Sequence, residues 1–279
     1  MPIDSIPVLD HGFVRLVDRM GDDQAIEQAA RKSYGGGTRA VNDTRGLLRH
    51  LFRKGHTGPF EFCEIVLHIK APIFVARQWM RHRTASIDEV SGRYSILPSE
   101  FYLPEYEDMA AQATYNKQGR GQTLRLVEAR VARERMAESA YTAFETYRGL
   151  LPPDEDDDRD NWPGLARELA RTVLPLSTYT EWYWKIDLHN LLHFLQLRLD
   201  THAQLEIRRY AEVIADLVKD WVPLAWEAFE DYRLGAVLVS AQELAILRGL
   251  LQGSAMPSQK ASSLSAREYR EFMHRFNLG

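Results

Sequence analysis

The fold class this sequence predicts is α+β, with helices packed around a largely antiparallel sheet. Three observations support it. Residues 62–70 and 178–186 alternate with period two, as half-buried strands do. Several segments around them carry helical periodicity instead. The chain, 279 residues with 45% hydrophobic content, is long enough for one large domain with a full core.

Residues 22–34 and 43–54 read as amphipathic helices joined by Gly35, Gly36 and Gly37. That triple glycine lacks the flanking strand and the Gly-Lys-Ser pattern of a phosphate loop, so a plain connector is expected. In the first strand, residues 62–70, Cys63, Ile65, Leu67 and Ile69 share one side, and Glu64, Val66, His68 and Lys70 share the other. Pro72 suits the first turn of a helix over residues 72–81, with Arg77, Gln78 and Arg81 on its polar face and Ile73, Ala76, Trp79 and Met80 opposite. Residues 94–103 read as extended. A long surface helix is expected over residues 122–150, ended by the acidic connector PPDEDDDRDNWP.

The second strand, residues 178–186, places Thr180, Trp182, Trp184 and Ile186 on one side and Tyr179, Glu181, Tyr183 and Lys185 on the other. A helix over residues 188–199 puts Leu188, Leu191, Leu192, Leu195 and Leu199 on one stripe, with Arg198 at its edge. Two further helices are each opened by a capping box, Ser240 with Glu243 and Ser265 with Glu268. These divisions predict a main domain over residues 1–232 and a helical extension over residues 233–279, docked on the same domain or on a neighbouring subunit.

The formal charge of −4 argues against a general nucleic-acid binder, because affinity for a phosphate backbone needs a basic face. No continuous apolar stretch suggests a secretory signal or a membrane span. The lone Cys63 cannot form an intrachain disulfide, which fits a reducing cytoplasm.

Chemistry concentrates in residues 81–95, RHRTASIDEVSGRYS, a polar loop directly after the apolar APIFVARQWM. Its Arg81, Arg83 and Arg93 suit an anion, because planar guanidinium forks match phosphate oxygens two at a time. Arg-His-Arg, seven residues, then Ser, with Glu89, Gly92, Arg93 and Tyr94 in place, resembles the signature of the flavin-dependent thymidylate synthases. Two more blocks resemble that family. One is GHTGPFE, from Gly55 to Glu61, and the other runs from Arg171 to Ala211 and includes His202-Ala203-Gln204 and Glu206. Weaker similarity extends from near Asp10 to about Tyr232.

The resemblance implies a homotetramer with flavin sites at subunit contacts. It implies nucleotide contacts from Gln78 and Arg81 of one subunit, and from Glu89, Ser91, Gly92, Arg93 and Arg171 of its neighbour. Flavin contacts fall on Gly58, Arg81, His82, Arg83, Thr84, Glu89, Asp187, His189 and His193, and His56 matches the histidine near the folate end of the pocket. Arg198 matches the arginine that contacts the uracil ring, where a fixed cation would stabilise developing negative charge and make C5 nucleophilic. The implied reaction methylates dUMP to dTMP, with 5,10-methylenetetrahydrofolate as carbon donor and NADPH as reductant through FAD; no cysteine nucleophile takes part.

Some positions depart from the family pattern. Asp88 stands where Asn is usual, Gly58 where a hydroxyl residue often stands, and Asp187, His189 and His193 where many members show Asn, Arg and Asn. The pair His189 and His193 at i and i+4, like His202 and Glu206, also suits zinc, so a metal-dependent hydrolase is the alternative enzyme class. No third ligand beyond Asp200 joins the first pair, and no bound metal is expected. A helical scaffold without catalysis would leave the arginine loop unexplained.

Overall fold

The computed structural model describes residues 4–32, 43–114, 119–153 and 162–278. The glycines at 35–37 and the acidic residues 154–161 lie outside the described residues. Two compact units divide the chain, Met1–Tyr232 and Arg233–Gly279.

In the first unit the strands are β1 (Ile6–Val8), β2 (Gly12–Met20), β3 (Glu64–Pro72), β4 (Ser86–Glu89), β5 (Ala110–Gln112), β6 (Arg120–Thr123) and β7 (Tyr179–Asp187). Five of them form one sheet in the order β1-β2-β3-β7-β4, and every neighbouring pair is antiparallel. The other two, β5 and β6, pair as a separate hairpin. The helices are α1 (Asp23–Lys32), α2 (Thr44–Lys54), α3 (Ile73–Trp79), α4 (Leu126–Leu150), α5 (Arg167–Ala170), α6 (Leu188–Arg198), α7 (Leu205–Trp221) and α8 (Pro223–Phe229). The α+β class read from the sequence is the architecture observed.

Strands β3 and β7 form the middle of the sheet because each presents one continuous apolar face. Cys63, Ile65, Leu67 and Ile69 are buried with Thr180, Trp182, Trp184 and Ile186, and the register pairs Leu67 with Trp184. Helices α3, α6 and α7 cover that face and bury Val75, Trp79, Leu191, Phe194, Ile207 and Tyr210 in the same core. A smaller cluster joins α4, through Ala140, Phe144 and Tyr147, to Phe101 and to Ala170 of α5.

Several boundaries differ from the sequence expectation. The strand expected over residues 62–70 runs from Glu64 to Pro72, because Gly58–Phe62 forms a 3₁₀ turn that leaves Phe62 exposed. Pro72 accordingly stands at the N-cap of α3 rather than in its first turn. The signature segment is not wholly loop. Its residues 86–89 add strand β4 to the sheet edge beside β7, with all four residues exposed. Residues 94–103 make only the isolated bridge from Phe101 to Thr178, and the helix expected from residue 122 starts at Leu126, after β6. Strands β1, β2, β5 and β6 and helices α5, α7 and α8 have no counterpart in the sequence expectation.

In the second unit, α9 (Ala241–Leu251) and α10 (Ala266–Arg275) open with the expected boxes. Ser240 Oγ accepts from the Glu243 amide at 3.2 Å, and Glu243 returns a carboxylate to the Ser240 amide at 2.7 Å. Ser265 and Glu268 repeat the exchange at 3.3 and 2.8 Å. Such caps contribute about 1 kcal/mol each. No described helix is long and apolar enough to cross a membrane.

Candidate active site

Trp79, the last residue of α3, fixes where the signature segment leaves the core. It is fully buried, with ring centroids 5.4 Å from Trp182, 5.1 Å from Trp184, 4.8 Å from Phe194 and 5.8 Å from Tyr210. These contacts join α3 to β7, α6 and α7. The His82 amide donates to the Trp79 carbonyl at 3.0 Å, so the Arg-His-Arg run turns out of the core at once.

The facing wall is α6, which starts directly after β7. Asp187 is its N-cap and accepts from the Asn190 amide at 3.0 Å and from Asn190 Nδ2 at 2.7 Å. Leu188, Leu191, Leu192 and Leu195 are buried as the wheel predicted, and this carries Arg198 to the cleft edge in the last turn.

Between these walls lies a cleft of 860 Å³, lined by Arg77, Gln78, Arg81, His82, Arg83, Thr84, Ile186, Asn190, His193, Leu197 and Arg198. Four guanidinium groups and no carboxylate stand among the described lining residues. A cavity with that uncompensated charge suits an anionic ligand such as a nucleotide or the phosphates of a flavin.

Arg198 Nε donates to His82 Nε2 at 3.2 Å, which requires an unprotonated His82 nitrogen, and Arg198 Nη2 lies 3.5 Å from the Gln78 carbonyl oxygen. Burial, then the charge of Arg198, then His193 pull the His82 pKa down to about 4. Burial and the neighbouring Arg81 lower that of Arg198. The histidine is therefore a neutral acceptor that orients the guanidinium.

The structure thus brings together Gln78, Arg81, His82, Arg83, Thr84, His193 and Arg198 from the predicted set. Arg77 and Asn190 also line the cleft. Arg77 was legible as a polar-face neighbour of Gln78 and Arg81, and Asn190 as the residue three after a helix-capping Asp187. Asp187 itself serves the helix end, and His189 is not among the lining residues.

A second group lies on β4 and the turn after it. Glu89 accepts from the Thr180 hydroxyl at 2.7 Å, Ser91 Oγ accepts from the Arg93 amide at 3.3 Å, and Arg93 pairs with Glu168 at 3.1 Å. A Cβ on Gly92 would sit 3.2 Å from Leu97 and 3.3 Å from the Arg171 side chain, so glycine lets this turn pack against Arg171. None of Glu89, Ser91, Gly92, Arg93 and Arg171 is among the described residues lining the cleft of its own chain. His56 is exposed after α2, its ring 6.3 Å from that of His50, and Gly58 opens the 3₁₀ turn with free space around it. Among the described residues, no three His, Cys, Asp or Glu side chains converge as a metal site.

A family model described as thymidylate synthase complementing protein matches residues 15–224. The flavin-dependent thymidylate synthase of Ruegeria pomeroyi is 56% identical over 266 residues, which cover 95% of this chain and 86% of that protein. The one from Rickettsia typhi is 50% identical over 279 residues, covering 99% and 95%. The chain belongs to the flavin-dependent thymidylate synthase family. Among solved structures, the UMP/dUMP methylase PolB from Streptomyces cacaoi, bound with 5-Br UMP, matches with a TM-score of 0.70 and 34% identity over 82% of this chain and 98% of that one. Membership of that family replaces the metal-dependent hydrolase as the enzyme class.

Proposed function

We propose that this protein methylates dUMP to dTMP, taking carbon from 5,10-methylenetetrahydrofolate and electrons from NADPH through FAD, and releasing tetrahydrofolate. The single observation that carries the reading is the carboxylate-free cleft in which Arg198 stands beside Gln78, Arg81 and His82 in a member of this family. The cationic lining fits the flavin as well as the nucleotide. Arg81, His82, Arg83, Thr84 and His193 would hold it, with Glu89, Gly58, Asp187 and His189 the less directly placed contacts. When bound, FAD supplies the two electrons that bring a methylene-level carbon to a methyl group.

Arg198 stabilises negative charge on the uracil ring, which makes C5 the attacking atom. Its orientation comes from His82, a neutral acceptor. Cys63 is not the nucleophile. It is fully buried, and burial together with Asp22 and Asp23 raises its pKa to about 12, so the thiolate is scarce at neutral pH. His56 lies toward the folate.

The phosphate is held by Ser91, Gly92, Arg93 and Arg171 of a neighbouring copy, with Glu89, in a homotetramer. Supporting this, those residues do not line their own chain's cleft.

An absorbance spectrum of the purified protein tests the reading. A flavin spectrum that NADPH bleaches and dUMP perturbs is expected. Colourless protein that gains no flavin band on addition of FAD would overturn it.

A further inference from the structure

Gln204 is the N-cap of α7, where a side chain usually closes onto the first amides of its own helix, yet it makes no cap bond. Its amide reaches two neighbours instead. Gln204 Nε2 donates to Glu206 at 2.9 Å, and the Gln204 amide oxygen accepts from Gln78 Nε2 on the cleft wall α3. The reaction above gives Gln204 and Glu206 no task.

Glu206 decides which way the Gln204 amide faces. It is 1% exposed, and the Tyr102 hydroxyl at 3.0 Å and the Arg120 guanidinium of β6 also donate to it. Burial works to raise its pKa, but its own backbone amide, Arg120 and Gln204 outweigh burial and keep the group below the usual carboxylate range. An ionised carboxylate only accepts hydrogen bonds, so Gln204 turns its nitrogen toward Glu206 and its oxygen toward Gln78. A protonated Glu206 could donate as well. Gln204 would then be free to turn over and set two amide nitrogens against each other at Gln78. Arg120 guards against this from outside, since it is not among the described residues lining the cleft.

Gln78 is the receiving end. Its nitrogen keeps a second proton, so the bond to Gln204 leaves it both a donor and an acceptor for a ligand. What the bond removes is side-chain rotation. A long side chain already fixed when the protein folds loses no rotamer freedom when the ligand arrives, and affinity gains by that amount. We propose that Arg120 and Glu206, acting through Gln204, hold Gln78 in its binding rotamer, so that a hairpin outside the cleft tunes nucleotide affinity. This rests on the nucleotide reading above. Arg120, Glu206 and Gln204 are positioning residues, and Gln78 makes the contact.

The test is a double-mutant cycle read by calorimetric titration of dUMP into the flavin-loaded oligomer. Gln204→Met keeps the side-chain length and removes the amide. Gln204 is exposed, and Glu206 retains Arg120 and Tyr102 in this variant, so it reports even if Arg120→Met does not fold. Gln204→Met is expected to weaken dUMP binding about fivefold and Gln78→Ala about tenfold, with the double variant at about tenfold rather than about fiftyfold. Arg120→Met should weaken it about threefold, a loss that vanishes in the Gln78→Ala background. A merely structural Gln204 would shift the denaturation midpoint and leave dUMP affinity alone. Unchanged dUMP affinity in Gln204→Met or in folded Arg120→Met, or losses that multiply in the double variant, would overturn the relay. Unchanged affinity in Gln78→Ala would overturn it too, by removing the contact that is positioned. Wild-type protein that holds flavin but binds no dUMP would sink the nucleotide reading itself, and the proposal with it.

Discussion

Arg81, His82 and Arg83 follow a tryptophan enclosed by aromatic rings, whereas Glu89 ends, and Ser91 and Arg93 follow, an edge strand whose residues are all exposed. The first group turns into a cleft that its own chain builds with α6. The second is fastened to β7 through β4 and the Val90 amide, which donates to the Glu181 carbonyl at 2.9 Å, and it is not among the described residues lining that cleft. A short ribbon of chain thus serves two surfaces. The difference is that one contiguous motif supplies a cleft wall at one end and a sheet edge at the other.

The comparison breaks most sharply at Arg198. Arg198→Ala is expected to lower dUMP methylation by about 10³-fold while flavin absorbance is retained, because the lost group acts on charge that develops during reaction. Full turnover in that variant would refute its role. Arg93→Ala, on the other surface, should weaken dUMP binding by about 10-fold or more in a titration with flavin content unchanged. Co-expressing the two variants sharpens the point. If each site takes Arg198 and Arg93 from different copies, randomly mixed oligomers assayed at dUMP well below saturation recover about a quarter of wild-type turnover, above the level of either variant alone. No recovery would place both halves in one chain.

Trp79→Ala tests the support of the first surface and is expected to cost about 3–5 kcal/mol in chemical denaturation, through the cavity it leaves. His82 sets a pH dependence. Its folded pKa, about 4, lies below the ordinary 6.5, so the unfolded chain binds the extra proton first. The contribution of neutral His82 is present above about pH 6.5 and is lost as pH falls toward 4. A flatter denaturation profile across that window is expected for His82→Asn. Cys63→Ala should change turnover by less than about twofold, because a buried thiol of raised pKa is not the attacking group.

The central strands were legible because each buries one face, so the sequence alternates strictly through Cys63, Ile65, Leu67 and Ile69 and through Thr180, Trp182, Trp184 and Ile186. Strand β4 was not legible, because Ser86–Glu89 is exposed on both faces and shows no apolar period. Strand β2 carries a bulge between Leu16 and Asp18 that interrupts its alternation. Helix α7 does have a clear apolar face, in Ile207, Tyr210, Ile214 and Val218, yet its first turn lies inside the block from Arg171 to Ala211, where the polar His202-Ala203-Gln204 and Glu206 obscure the start of that period. In the cleft, the residues adjacent in sequence were found. What could not be read was the hydrogen-bonded line from Arg120 through Glu206 and Gln204 to Gln78, since its members come from β6, α7 and α3 and no local period links them.

The ring cluster around Trp79 has a thermodynamic consequence at the binding step. A guanidinium fork hung from a mobile loop would lose rotational freedom when it closes on a ligand, and that ordering would subtract from affinity. Here the anchor point of Arg81 and Arg83 is already immobilised when the core packs, so preorganisation is inherited from folding. Loosening the rings should therefore weaken ligand affinity at temperatures well below the melting transition.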